Sequence, residues 1–112
     1  MAWFGGFTLQ TDNRIPGDYE EVAVGVSAAG FASTKISPLT GPYARLSARA
    51  VLVTLENGDL RFRVDSGPPS TSSGHYFTNG DTLVITGTQA IQQFRAIRCG
   101  DTDGVLKVTY FY

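Results

Sequence analysis

Strict period-two alternation, cut into short runs by Gly, Asn and Pro, constrains this chain more than any other feature. In "RAVLVTLE" the residues Val51, Val53 and Leu55 share one face, and in "LRFRVD" Leu60, Phe62 and Val64 oppose Arg61, Arg63 and Asp65. Asn57-Gly58 lies between these runs. It predicts a two-residue hairpin, because both turn positions tolerate positive φ. Further strands are predicted over 81–87 ("DTLVITG"), 92–99 ("QQFRAIRC"), 104–112 ("GVLKVTYFY") and 20–28 ("EEVAVGVSA"), where Val22, Val24 and Val26 share a face. "FTLQTD" near the start is a weaker candidate. Strands about ten residues apart with Gly-, Pro- and Asn-containing turns predict an all-β protein, an antiparallel β-sandwich or jelly roll, in one domain.

Helix signals are few. "GTQAIQQF" offers one helical turn, with Thr88 as its cap and Ile91 and Phe94 three apart. Residues 27–43, rich in Gly, Pro and Ser, read as a long connection of the kind that serves a function or binds a neighbour. The division expected is an apolar arm or edge strand over 1–20 and a sandwich over 21–112 that carries this connection.

Composition narrows the function classes. A chain of 112 residues is the size of one core, and a net charge of −1 gives no footprint for nucleic acid or anionic lipid, so neither is expected as a partner. The single cysteine, Cys99, has no internal disulfide partner and is expected to be a small buried thiol. "MAWFGGFTLQ" lacks the basic flank and long apolar core of a secretion signal, and no window is long enough to span a bilayer, so cytosolic synthesis is expected.

The stretch "RFRVDSGPPSTSSGHYFTNGD" holds the only histidine. His75, Ser72 or Ser73 and Asp65 are the residue types of a hydrolytic triad, but no nucleophile-elbow pattern surrounds either serine. "GPPSTSSGH" lacks the lysine of a phosphate loop, and its prolines remove backbone donors. "DTDG" begins like a calcium loop without the downstream carboxylate, so a tight turn is the better reading. No metal, cofactor or catalytic residue is expected. The stripe Asp59, Arg61, Arg63 and Asp65 neutralises itself and reads as a solvated face or a polar subunit contact. Arg95 and Arg98 lie on opposite faces of their strand, and at least one is expected to meet a carboxylate or a partner.

Aromatic residues crowd both chain ends. Trp3, Phe4 and Phe7 open the chain and Tyr110, Phe111 and Tyr112 close it, with apolar residues on both faces of the last strand. A second subunit is one expected cover for these ends. The candidate interface is therefore Trp3, Phe4, Phe7, Tyr43, His75, Tyr76, Tyr110 and Tyr112.

One resemblance covers residues 49–112. Arg61-Phe62-Arg63-Val64-Asp65, then Gly74-His75, Gly80-Asp81, Phe94-Arg95-Ala96-Ile97-Arg98 and Val108-Thr109-Tyr110 resemble a family of small proteins common in tailed-bacteriophage genomes. The chain departs from that pattern at Ser66, where the family tends to have glycine after the aspartate. The first 45 residues carry no part of it. The resemblance implies a non-enzymatic virion structural protein, a head decoration or cement piece. It would act as a homo-oligomer on other virion proteins, the major capsid protein foremost, with Gly74-His75 and Gly80-Asp81 as fold punctuation. A second likeness, to immunoglobulin-like modules attached to carbohydrate-active enzymes, implies the alternative of a glycan-binding or adhesin module, such as a tail-fibre tip. Its platform would be Trp3, Tyr43, Tyr76 and Phe77.

Overall fold

The computed structural model describes residues 14–112 in full and the backbone of 2–4 and 7–9. Eleven elements follow in order: β1 (Ala2–Phe4), β2 (Phe7–Leu9), β3 (Pro16–Val24), α1 (Ser33–Ile36), β4 (Ala50–Glu56), β5 (Leu60–Arg63), β6 (His75–Phe77), β7 (Thr82–Thr86), α2 (Thr88–Gln93), β8 (Arg95–Arg98) and β9 (Gly104–Phe111). They form an antiparallel β-sandwich. A four-stranded sheet, β3-β9-β4-β7, packs on a three-stranded one, β6-β5-β8, and β1 pairs with β2 in a small hairpin.

The alternation places the core. Val51, Val53 and Leu55 of β4, Leu106, Val108 and Tyr110 of β9, and Leu60 of β5 are all buried between the sheets. Phe94 stacks on Phe31 at 4.4 Å and on Phe62 at 5.6 Å, Phe62 meets Phe77 edge-on, and Phe31 meets Tyr110 of β9 edge-on at 6.2 Å, so aromatic rings knit the sheets together. The two positions three apart near α2, Ile91 and Phe94, are both fully buried, in keeping with a helical turn. Thr88 does not cap that helix. Gly87, at φ +95°, takes the cap position, and the Thr88 hydroxyl donates to the Ala48 carbonyl at 2.8 Å.

The hairpin predicted at Asn57-Gly58 is not one. β4 belongs to the four-stranded sheet and pairs with β7 and β9, while β5 belongs to the other sheet and pairs with β6 and β8. Asn57 does adopt positive φ, at +78°, but Gly58 does not. Gly58 is needed for a different reason: a Cβ there would lie 2.2 Å from the Thr102 carbonyl oxygen. The turn is a corner that lifts the chain from one sheet to the other. Two more corners, at 78–81 and 99–103, do the same at the same end, joining β6 to β7 and β8 to β9.

At that end β3 also stops. The strand expected to run on to residue 28 bends after Val24. Gly25 accepts from the Arg98 amide and Ala29 exchanges two 2.8 Å bonds with Ala96, which closes the edge of β8 and leaves Val26 71% exposed. β3 begins at Pro16, so the boundary expected at residue 20 falls inside a strand. The connection over 27–43 is anchored by its own core residues, Phe31 and Ile36, and holds α1.

Candidate functional site

The expected interface residues divide into three groups. The side chains of Trp3, Phe4 and Phe7 lie outside the described residues. Tyr110 and Tyr112 are covered by their own sandwich. Tyr110 has no exposed surface and donates its hydroxyl to Glu20, and Tyr112 is 6% exposed, donates to the Lys35 carbonyl and stacks on Tyr43 at 4.9 Å. On its inner face the end of β9 is thus covered by the chain's own residues. The inner face of that strand is occupied by α1 and by Tyr43. His75 and Tyr76 are exposed.

Glu20 is a structural residue that was missed. Its Oε1 receives both the Tyr110 hydroxyl and the Ala32 amide, so it binds the start of α1 to β9. A signal was present in the sequence, because Glu20 shares parity with Val22 and Val24 and therefore points inward with them. Asp18, beside it, receives the Tyr19 amide at 2.8 Å and the Lys35 ammonium at 3.2 Å, and these bonds hold its carboxyl below the usual range.

The triad residues are not brought together. Asp65 is held by the Arg63 guanidinium through two bonds, at 3.0 and 2.6 Å, and by the Gly67 amide at 3.1 Å, which lower its pKa. Ser70 and Ser73 exchange backbone bonds within their own turn. The His75 ring leans on Phe62, 5.3 Å between centroids. Asp81 makes the local turn bond expected of it, receiving the Thr78 amide at 2.9 Å. Arg98 meets Asp103 at 2.6 Å, as one of the two β8 arginines was expected to meet a carboxylate. Among the described residues no group of three or more His, Cys, Asp or Glu is placed to hold a metal ion.

The corner end carries a cavity of about 310 Å³ lined by Asn57, Asp59, Asn79, Asp101 and Thr102. Asp59 there is already engaged, receiving the Tyr76 hydroxyl at 2.7 Å and the Asn79 amide at 2.9 Å, which lower its pKa.

The outer face of the three-stranded sheet is a second surface. Register places Arg61 between Tyr76 and Ile97, and Arg63 directly opposite Arg95, all pointing away from the core. Arg61 lies over the Tyr76 ring, 5.1 Å from its centroid. The expected stripe is therefore wider than one strand, and its carboxylates are taken by named partners. Cys99 continues the outward parity of Arg95 and Ile97 and is half-buried, which corrects the expectation of a core thiol. The glycan platform is not assembled as expected. Phe77 is buried and Tyr43 packs on Tyr112, leaving Tyr76, 53% exposed, as its one open ring among the described side chains.

No protein family model, curated protein or solved structure matches the chain.

Proposed function

We propose that the chain is a non-enzymatic structural subunit of a tailed-phage particle, a head decoration or cement protein that grips neighbouring virion subunits. The observation that carries this reading is a cluster of exposed apolar side chains at the end of the sandwich away from the corners. Ile15 is 51% exposed, Leu39 86% and Leu46 44%. Backbone bonds tie them to one place: Ile15 pairs with Tyr112, Leu46 donates to the Tyr43 carbonyl, and Tyr43 stacks on Tyr112. Leu39 lines a cavity with Asp18 and Lys35 on the same side. Apolar groups gathered at one end are the usual sign of a protein contact.

The residues that carry the phage resemblance support the reading in another way. Arg63-Asp65, Gly74 and Asp81 all serve the fold, which fits a family whose shared pattern is structural rather than chemical. The test is to purify particles from the host that carries the gene and weigh their proteins by mass spectrometry. Many copies per particle, in a fixed ratio to the major capsid protein, are expected. Absence from washed particles overturns the proposal.

A further inference from the structure

The outer face of the three-stranded sheet has a charge arrangement that the fold does not explain. Arg63 and Arg95 are direct cross-strand partners, with Arg61 two residues from Arg63 on the same face. Like charges directly opposite each other destabilise a sheet. Two carboxylates border this face. Asp65 is taken up by Arg63 and Asp59 by the Tyr76 hydroxyl and the Asn79 amide. Arg95 is held by carbonyls, those of Gln92 and Phe94. Arg61 donates from Nη1 to the Gly74 carbonyl at 3.2 Å, while its Nε is buried with no acceptor. The Arg95 guanidinium turns to the edge of β8, against Gly30, so Arg61 is the guanidinium left on this face with no carboxylate partner among the described residues.

Beside this charge stands an aromatic ring that is exposed yet fixed. Arg61 covers part of Tyr76 and Asp59 holds its hydroxyl, so the ring loses little freedom when something stacks on it. Ile97 completes the row on the other side of Arg61. The surface is a sheet face rather than a cleft, which suits an extended chain. Strand addition by an acidic peptide is disfavoured, because the adjoining edge strand β6 is three residues long.

We propose that this face binds an acidic polysaccharide, with a uronate-type carboxylate on the Arg61 guanidinium and the apolar face of a sugar ring on Tyr76. The carboxylate supplies the anion that Arg61 lacks, and the stacked ring supplies the register. This binding is separate from the particle contact proposed above and stands without it.

The test uses the full chain labelled with 15N. It is titrated with oligogalacturonate and, in parallel, with the same oligomer methyl-esterified, while the Arg Nε–H and Tyr76 signals are followed. Shifts centred on Arg61 and Tyr76 are expected with the acid form, weakening with added salt and absent with the ester. Arg61→Gln and Tyr76→Ala, each checked for an unchanged unfolding transition, are expected to weaken binding about ten-fold or more. Arg61→Lys tests the planar fork and is expected to fall between them and the parent. Equal shifts with the ester, no shifts on this face, or a stronger response to polyglutamate each overturn the proposal.

Discussion

Ser66 holds φ +68° directly after the aspartate that anchors its loop. A side chain with a Cβ pays about 1–2 kcal/mol in that conformation, and glycine does not. This is the position at which the chain departs from the phage-family pattern, and the backbone angle explains why glycine suits it. Ser66→Gly is expected to stabilise the protein by about 0.5–1 kcal/mol, after allowing for the greater freedom of an unfolded glycine. Urea unfolding checks this, and an unchanged or lower midpoint refutes it. The buried tyrosines supply a second prediction at this scale. Burial, and for Tyr110 the bond to Glu20, raises the pKa of both, Tyr112 to about 12 and Tyr110 further. An unfolded tyrosine ionises near pH ~10. Below that pH both states keep the protons and the contribution to stability is complete. Above it the unfolded chain releases protons that the native chain retains, so stability falls by about 1.4 kcal/mol per pH unit for each tyrosine. Tyr110→Phe should make the decline between about pH 10 and 12 distinctly shallower. Equal slopes in the two proteins would show that Tyr110 does not contribute.

Elements were far easier to read from the sequence than the way they are joined. β4, β5, β7, β8 and β9 lie where alternation placed them, and α2 falls on the one helical signal, because inward parity and burial are local properties of each run. Asn57-Gly58 shows where the local signal ends. The same dipeptide serves a hairpin or a corner, and the choice is made by Thr102, forty-four residues later in the chain, whose carbonyl packs where a Gly58 Cβ would be. The candidate site was harder still. Arg61, Arg63 and Asp65 were visible as a stripe, but Arg95 and Tyr76 join it only through pairing with β5, which sequence alone does not specify. The corner yields a sharp prediction. Gly58→Ala forces backbone to move and is expected to cost about 2–3 kcal/mol. Gly100→Ala, at a neighbouring corner with no atom near its Cβ, is expected to be within about 0.5 kcal/mol of the parent. If the two variants unfold alike, corner packing is not what selects Gly58.

The whole molecule is polar along its length because three of its four changes of sheet occur at one end, the fourth running through α2 at the other. The three corners need residues that turn and bond their own backbone, so Asn57, Asp59, Asn79, Asp81 and Asp101 collect there. The opposite end receives the start of β3, the close of β9 and the 37–49 segment, and there Ile15, Leu39 and Leu46 face solvent. Side chains this exposed contribute little to the stability of an isolated subunit, and the proposed particle role gives them a use in contact with another protein. Replacing Ile15 and Leu39 together by serine should leave the unfolding free energy within about 0.5 kcal/mol of the parent. The same change should lower association, read by sedimentation velocity over a range of concentrations, because a stable contact of about 1,200–2,000 Å² loses its apolar centre. A symmetric assembly built on this end would shift from oligomer to monomer with the sandwich intact. If the doubly substituted protein sediments as the parent does, the apolar end is not a self-contact.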